Sequence, residues 1–176
     1  MEQGNLKTRS MVGAAILAAI TAVLSQIILP IGPVPFNLAV LGAYLTGCLL
    51  TPGWALGSIA VYLLMGLVGL PVFAGFSGGP AAFFGPTGGY LAGYLFIAFL
   101  TSLGVHRGGK LRWVLPAMLS GLLLCYLLGT GWFILITGRG LVESLMLCVV
   151  PFLIPDLCKA AAAILLTRAL RIRLHY

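Results

Sequence analysis

The sequence predicts an all-α membrane protein with six transmembrane helices in a single domain over residues 1–176. Three observations predict this class. Hydrophobic residues make up 61% of the chain, charged residues 7%, and the mean hydropathy is +1.14, whereas a globular protein has about 25% charged residues. Long apolar runs alternate with short breaks that are polar or rich in glycine and proline. The basic residues lie mainly at the ends of these runs.

Length and charge exclude several classes of function. A chain of 176 residues has room for about five to seven helices of roughly 20 to 25 residues, and for no extramembrane catalytic domain. The net charge of +7 does not indicate nucleic acid, because topology explains basic residues at the ends of spans. The four cysteines have no paired spacing and are interpreted as small buried hydrophobes. We therefore expect no metal and no cofactor.

The first predicted helix covers about residues 11–29, after a polar tail. Ala14, Ala18 and Ala22 recur in it at a spacing of four, with Ala15 and Ala19 beside them. A stripe of small residues lets another helix approach closely. Two uses fit this stripe, namely docking of a partner helix or packing within the same bundle.

The next two predicted helices are short. Residues 30–35 read Pro-Ile-Gly-Pro-Val-Pro, and repeated proline makes this stretch a loop. The second helix covers about residues 36–50, with Asn37 near its start. A turn at Thr51-Pro52-Gly53 leads into the third helix, at about residues 54–70.

Residues 71–90 combine glycine, proline and aromatic residues and contain no charge. An apolar but irregular segment cannot face lipid, because its backbone polar groups would lack hydrogen bonds. It must fold over protein or line a cavity. Aromatic residues between glycines suit a lid on an apolar ligand; the alternative is a plug packed inertly on the bundle.

The last three predicted helices cover about residues 88–103, 113–136 and 154–170. A basic loop at residues 106–112 joins the first two of these. Residues 141–150 are apolar but too short to span, which indicates a surface or re-entrant helix.

Six helices place both termini on the same side, and the charges agree with that count. Arg139 lies on the other side, and the remaining basic residues share the side of the termini: Lys7, Arg9, Arg107, Lys110, Arg112, Arg168, Arg171 and Arg173. The positive-inside rule then predicts cytoplasmic termini in the cell membrane. The lid, the proline loop and the start of the last helix would all lie outside, around an outward-facing pocket.

Asp156 and Lys159 open that last helix, within the run Pro-Phe-Leu-Ile-Pro-Asp-Leu-Cys-Lys at residues 151–159. With Pro155 in the first turn, the two charges stand three residues apart on one face. An ionisable group within a membrane segment costs roughly 2.5 to 3.5 kcal/mol and normally faces the bundle interior or a wet cavity. We interpret the pair as a ligand site; the alternative is a structural ion pair that caps the helix.

Three stretches of this chain resemble the BioY family of biotin transporters. They are Gly-Leu-Pro-Val-Phe-Ala-Gly at residues 69–75, Gly-Pro-Thr-Gly-Gly-Tyr-Leu at 85–91, and Pro-Phe with Pro-Asp-Leu-Cys-Lys-Ala at 151–160. The chain departs from the family in two places. Asn37-Leu38-Ala39 stands where the family usually shows Thr-Leu-Gln, and the lid offers Ser77 in place of an asparagine.

The resemblance implies the substrate-binding S component of an energy-coupling factor (ECF) transporter. It implies capture of biotin from outside and uptake driven by two ATP-binding subunits through a transmembrane coupling subunit, which would dock on Ala14, Ala18 and Ala22. Asp156 could accept from the ureido N–H groups, while Lys159 could donate to the ureido carbonyl or neutralise the carboxylate. The expected substrate site comprises Asn37, Phe73, Phe76, Ser77, Phe84, Tyr90, Asp156 and Lys159.

The sequence leaves two other classes of function as alternatives. An intramembrane enzyme would need a nucleophile with a base or a metal cluster, and Asp156 has no second intramembrane acid. A stand-alone transporter or channel for a different small vitamin-like solute would need no ATPase partners. The sequence shows no evident inverted repeat, which argues mildly against that alternative.

Overall fold

Eight helices and one two-stranded hairpin make up the part of the chain that the structure describes, residues 2–29 and 36–174. The structure is a computed structural model, and it agrees with the predicted all-α class. The helices are α1 Glu2–Ser25, α2 Ala39–Leu49, α3 Pro52–Val68, α4 Pro80–Phe83, α5 Gly88–His106, α6 Leu111–Thr137, α7 Leu141–Cys148 and α8 Val150–Leu174. The strands β1 (Ile28–Leu29) and β2 (Phe36–Asn37) pair antiparallel.

Four of the described helices are long and apolar enough to cross a membrane: α1 from Lys7, α5, α6 and α8 as far as Leu170. The other two predicted spans, α2 and α3, are apolar helices of 11 and 17 residues. At 1.5 Å per residue they reach about 17 and 26 Å, against a hydrocarbon core of about 30 Å. The structure therefore gives four full-length spans and two shorter apolar helices beside them.

The ends of the first two helices differ from the prediction. α1 ends at Ser25 instead of Leu29, because Ile28 and Leu29 pair with Asn37 and Phe36. α2 begins at Ala39, whose N–H donates to the Asn37 side-chain oxygen at 2.9 Å. Asn37 thus ends β2, and its side chain accepts from the first N–H of the helix, while Leu38 is the N-cap residue. The predicted proline loop at residues 30–35 lies outside the described residues.

The last helix also begins earlier than predicted. The N–H groups of Phe152 and Leu153 both bond to the carbonyl of Val149, so the first turn of α8 closes before Pro155. Pro151 occupies that first turn, and Pro155 lies inside the helix. Because Pro155 has no N–H, it cannot make the backbone bond to the Pro151 carbonyl. The short apolar piece before it forms the eight-residue helix α7.

Glycines bring α5 and α6 into the closest contact of the bundle. A Cβ at Gly93 would lie 2.5 Å from Sγ of Cys125, and one at Gly129 would lie 2.2 Å from the Tyr90 ring. Neither position has room for a side chain, so the glycines set the approach of the two helices. α5 also packs on α2 and α3, α1 packs on α2 and α3, and α8 packs on α2.

Residues 71–87, which we call the lid segment, cross one end of this bundle. A 3-10 turn at Ala74–Phe76 and the four-residue α4 are its regular parts. Phe73 anchors it: the side chain is 3% exposed and packs edge-to-face on Tyr62 with ring centroids 5.6 Å apart. The ring lies against Gly66, where a Cβ would be 2.0 Å from the Phe73 ring. The lid segment is thus seated on α3.

Two neighbouring helices hold the lid segment by hydrogen bonds. At the end of α1, the Gln26 side chain donates to the Phe73 carbonyl at 3.1 Å and accepts from the Phe76 N–H at 2.8 Å. Ser25 donates to the Val72 carbonyl. From α6, the Trp132 indole N–H donates to the Gly85 carbonyl at 2.9 Å. These bonds satisfy backbone groups that a membrane segment cannot leave unpaired.

Candidate functional site

Asp156 and Lys159 form a buried ion pair on one face of α8. The Lys159 Nζ donates to Asp156 Oδ1 at 2.6 Å, and the two residues are 3% and 5% exposed. They are three residues apart, which places them side by side on a helix. Away from water, neither charge is stable alone, so each requires the other or a ligand.

Groups from two other elements complete the surroundings of the pair. Tyr126 on α6 donates its hydroxyl to Asp156 Oδ2 at 2.7 Å. The Lys159 Nζ lies 4.1 Å from the centroid of the Phe36 ring, a cation–π contact. Both carboxylate oxygens therefore accept a hydrogen bond. Among the described residues the ammonium donates to Asp156 alone, so two of its three N–H groups are available to a ligand.

Two adjoining cavities lie in this part of the bundle, and the ion pair lines the smaller of them. The smaller, about 40 Å³, is lined by Asn37, Val40, Tyr90, Tyr94, Cys125, Tyr126, Cys148, Phe152, Asp156 and Lys159. The larger, about 280 Å³, lies beneath the lid segment and is lined by residues that include Tyr62, Phe73, Ser77, Thr87 and Leu91. Asn37, Tyr90 and Tyr94 line both. A polar end with two charges thus adjoins a larger aromatic chamber.

The structure brings most of the expected substrate-site residues to these cavities. Asp156, Lys159, Asn37 and Tyr90 line the smaller one, and Phe73 and Ser77 line the larger one. The Tyr90 hydroxyl is hydrogen-bonded to the Thr130 hydroxyl, with 2.9 Å between the two oxygen atoms.

Phe76 and Phe84 are not brought to the cavities, contrary to expectation. They are 72% and 56% exposed and belong to neither lining. Phe76 follows Gly75 in a left-handed turn, with φ of 54° and 70° respectively, and this turns its side chain outward. Phe84 directly follows α4, and its ring packs edge-to-face on the Phe83 ring with centroids 5.2 Å apart.

Three tyrosines of the site were missed by the sequence interpretation: Tyr62 on α3, Tyr94 on α5 and Tyr126 on α6. One signal could have found them. A tyrosine in the middle of an apolar helix carries a hydroxyl that usually finds a polar partner when buried. Tyr94 also follows Tyr90 by four residues, so both side chains lie on one face of α5.

The alanine stripe of α1 packs inside the bundle. Ala14 and Ala18 are 7% and 1% exposed, and the Ser58 hydroxyl of α3 donates to the Ala14 carbonyl at 2.7 Å. Ala22 is partly buried against the same core. The stripe one residue further along, Ala15 and Ala19, is exposed. A partner helix can therefore reach Ala15 and Ala19, whereas Ala14 and Ala18 are covered.

Comparison with known proteins places this chain among transporters. The sequence model of the BioY family matches residues 1–176. The chain is 40% identical to a probable biotin transporter BioY of Pyrococcus horikoshii, over 94% of this chain and 98% of that protein. It is 36% identical to the biotin transporter BioY of Thermotoga maritima, over 94% and 96%. A crystal structure of the S-component for biotin from an ECF-type ABC transporter superposes with a TM-score of 0.86 and 30% identity, covering 95% and 93% of the two chains.

Proposed function

This chain belongs to the BioY family, and on that basis we propose that it is a biotin-binding S component that captures biotin from outside and delivers it for ATP-driven uptake. Members of this family are transport subunits and not enzymes. The observation that carries the proposal is the buried pair of Asp156 and Lys159, which faces a cavity joined to an aromatic chamber.

The chemistry of biotin suits a polar end of this kind. Its ureido ring has two N–H donors and one carbonyl acceptor, and its valeryl chain ends in a carboxylate. Asp156 offers carboxylate lone pairs to N–H groups, and Lys159 offers two N–H groups to a carbonyl or carboxylate. Hydrogen bonds that involve a charged partner are roughly twice as strong as neutral ones. The pair can therefore bind a group that both donates and accepts.

The larger cavity suits the apolar body of biotin. Tyr62, Phe73 and Tyr94 line it together with Leu91, and aromatic side chains supply a large apolar contact area. With volumes of about 280 and 40 Å³, the two cavities together lie near the lower end of the range for small-molecule sites, about 300 to 1,000 Å³. A compact bicyclic ligand is favoured over a larger one.

The energy for uptake would come from partner subunits. The sequence contains no complete phosphate-binding loop motif: Gly104, Gly109 and Lys110 have its spacing, but Leu111 stands where the motif requires Ser or Thr, and Gly104 lies inside α5. We therefore assign ATP hydrolysis to two ATP-binding subunits acting through a transmembrane coupling subunit. The exposed Ala15 and Ala19 form the docking surface in this proposal. They lie at a spacing of four on a face that the bundle does not cover, where a second helix can approach closely.

The proposed orientation in the cell membrane follows from charge. Six crossings, with α2 and α3 as the short ones, place both termini in the cytoplasm together with the basic turn between α5 and α6. The lid segment and the Asp156 end of α8 then face outward. That orientation is the one a subunit needs in order to take up a ligand from outside.

Uptake of labelled biotin tests this function. Cells that need external biotin would express the chain alone, the chain with the coupling and ATP-binding subunits, or the complete set with inactive ATP-binding subunits. We expect labelled biotin to accumulate in cells that express the complete active set, and uptake to fall strongly when ATP hydrolysis is blocked. Equal uptake by the chain alone would instead support the stand-alone transporter.

A further inference from the structure

A third cavity lies at the opposite end of the bundle from the lid segment. It has a volume of about 70 Å³. It is lined by Cys48 of α2, Val105 of α5, Gly109 in the turn after α5, Leu111 and Val114 of α6, and Ile164, Thr167 and Arg168 of α8. Arg168 is twelve residues beyond Asp156 on α8, which is about 18 Å along a helix. This cavity is therefore separate from the candidate biotin site.

The charge around this cavity is positive and lacks a counter-charge among the described side chains. The acids whose side chains the structure describes are paired elsewhere, Glu143 with Arg139 and Asp156 with Lys159. Arg168, on the cavity lining, is exposed. The turn that contributes Gly109 also carries exposed basic residues, namely Arg107, Lys110 and Arg112. An anion would be attracted to this end of the molecule.

The cavity lies at the level where the membrane meets water. α5 ends at His106, α6 begins at Leu111, and the apolar span of α8 ends at Leu170. Trp113, a residue type common at membrane interfaces, lies in the first turn of α6 between the lining residues Leu111 and Val114, and the Arg112 guanidinium is 5.6 Å from its ring centroid. The ligand that reaches this level from the bilayer is a lipid headgroup.

The lining combines one cation with an apolar wall. Val105, Leu111, Val114 and Ile164 are aliphatic, and Leu111 is 46% exposed, so the wall opens toward lipid. Arg168 presents N–H donors in a fixed fork that matches the oxygens of a phosphate. We propose that this cavity binds an anionic phospholipid, with its phosphate on Arg168 and the start of an acyl chain against the aliphatic wall. Basic pockets between helices at this membrane level suit such headgroups.

Native mass spectrometry of the full-length protein from mixed micelles tests the proposal. The probes are phosphatidylglycerol and phosphatidylcholine at equal concentration, with the wild type, Arg168→Gln and the control Arg9→Gln compared. Arg9→Gln removes the same charge from the same end, but Arg9 does not line the cavity. We expect the wild type and Arg9→Gln to retain phosphatidylglycerol preferentially, and Arg168→Gln to retain about fivefold less.

Other outcomes would overturn the proposal. Equal retention of the two lipids, or equal loss in the two variants, would show that no specific site exists. If millimolar inorganic phosphate fully displaced the retained phosphatidylglycerol, the cavity would be assigned to a free anion. Lipid retention that is unchanged in Arg168→Gln, with loss of co-purifying coupling subunit, would assign Arg168 to a protein contact. Gel filtration of each variant establishes that it is folded.

Discussion

Replacement of Asp156 by asparagine is expected to change both the stability of the protein and its affinity for biotin. In the wild type the carboxylate accepts from Lys159 at 2.6 Å and from Tyr126 at 2.7 Å. Asparagine keeps an oxygen for Tyr126 but cannot neutralise Lys159, which is 5% exposed. Breaking a buried ion pair in this way destabilises a protein by about 3 to 5 kcal/mol. The variant should therefore unfold more easily in detergent, and this alone does not reveal a ligand.

The expected loss of biotin affinity has a different cause, namely the loss of a charged acceptor for the hydrogen bond from biotin. A hydrogen bond to a charged acceptor contributes about 1.5 to 3 kcal/mol, so Asp156→Asn should weaken biotin binding by roughly 10- to 150-fold. Titration calorimetry measures this on protein that gel filtration shows to be folded.

A double variant removes the ambiguity between stability and binding. Asp156→Asn combined with Lys159→Met removes both charges of the buried pair, and the asparagine still accepts from Tyr126. Replacing a buried ion pair by neutral groups is often close to neutral for stability, so thermal stability should recover most of its loss. Biotin binding should not recover. Tight binding by the double variant, or unchanged affinity in Asp156→Asn, would refute the assignment of the pair to the ligand.

Three further predictions follow from the site and its supports. Tyr126→Phe should weaken biotin binding by about tenfold in calorimetry, because Asp156 loses the hydroxyl that positions it. The control Thr46→Val removes a buried hydroxyl that is hydrogen-bonded within its own helix, and it should leave the affinity for biotin unchanged. Equal loss of affinity in the two variants would contradict the prediction. Gln26→Leu should speed biotin dissociation by roughly 10- to 30-fold, since two hydrogen bonds to the lid segment are lost. An unchanged dissociation rate in stopped-flow measurements would show that the lid segment does not retain the ligand. Ala15→Trp should leave biotin binding intact but abolish co-purification with the coupling subunit. Ala18→Trp changes a position that is 1% exposed, and it should prevent folding. Co-purification of the Ala15→Trp variant with the coupling subunit would exclude this docking surface.

Two residues of the candidate site could be predicted from the sequence, because burying a charged side chain in an apolar segment costs free energy. Asp156 and Lys159 are the conspicuous charges within an apolar run, and their spacing places them on one helix face. Their partner Tyr126 lies 30 residues earlier in the chain. No local pattern connects the two positions, because their distance is set by the tertiary fold, in which α6 packs on α5, α5 on α2, and α2 on α8. The sequence thus indicates the charges but not the group that positions them.

The direction of side chains in irregular segments was not predictable either. The lid segment could be recognised from its apolar but broken composition. Whether Phe73 or Phe76 points inward depends on the left-handed turn at Gly75 and Phe76, a backbone choice that composition does not specify.

The alanine stripe shows a limit that is specific to membrane helices. In a soluble helix, polar residues mark the outer face. In α1, the neighbours of both stripes are apolar, because lipid replaces water outside. The Ala14 and Ala18 stripe and the Ala15 and Ala19 stripe are therefore equivalent in sequence, and only the packing of α1 on α2 and α3 distinguishes them.

Calorimetric titration of the purified chain, stripped of ligand, tests the central claim most directly. The ligands are biotin and an analogue that lacks the ureido ring but keeps the apolar body and the carboxylate. A site built to hydrogen-bond the ureido group should reject the analogue by roughly 10⁴-fold, because Asp156 and Lys159 would be left without the ligand groups they bind. Tight binding of biotin with that discrimination is the predicted result. Equal affinity for both ligands, or no biotin binding by folded protein, would contradict the account.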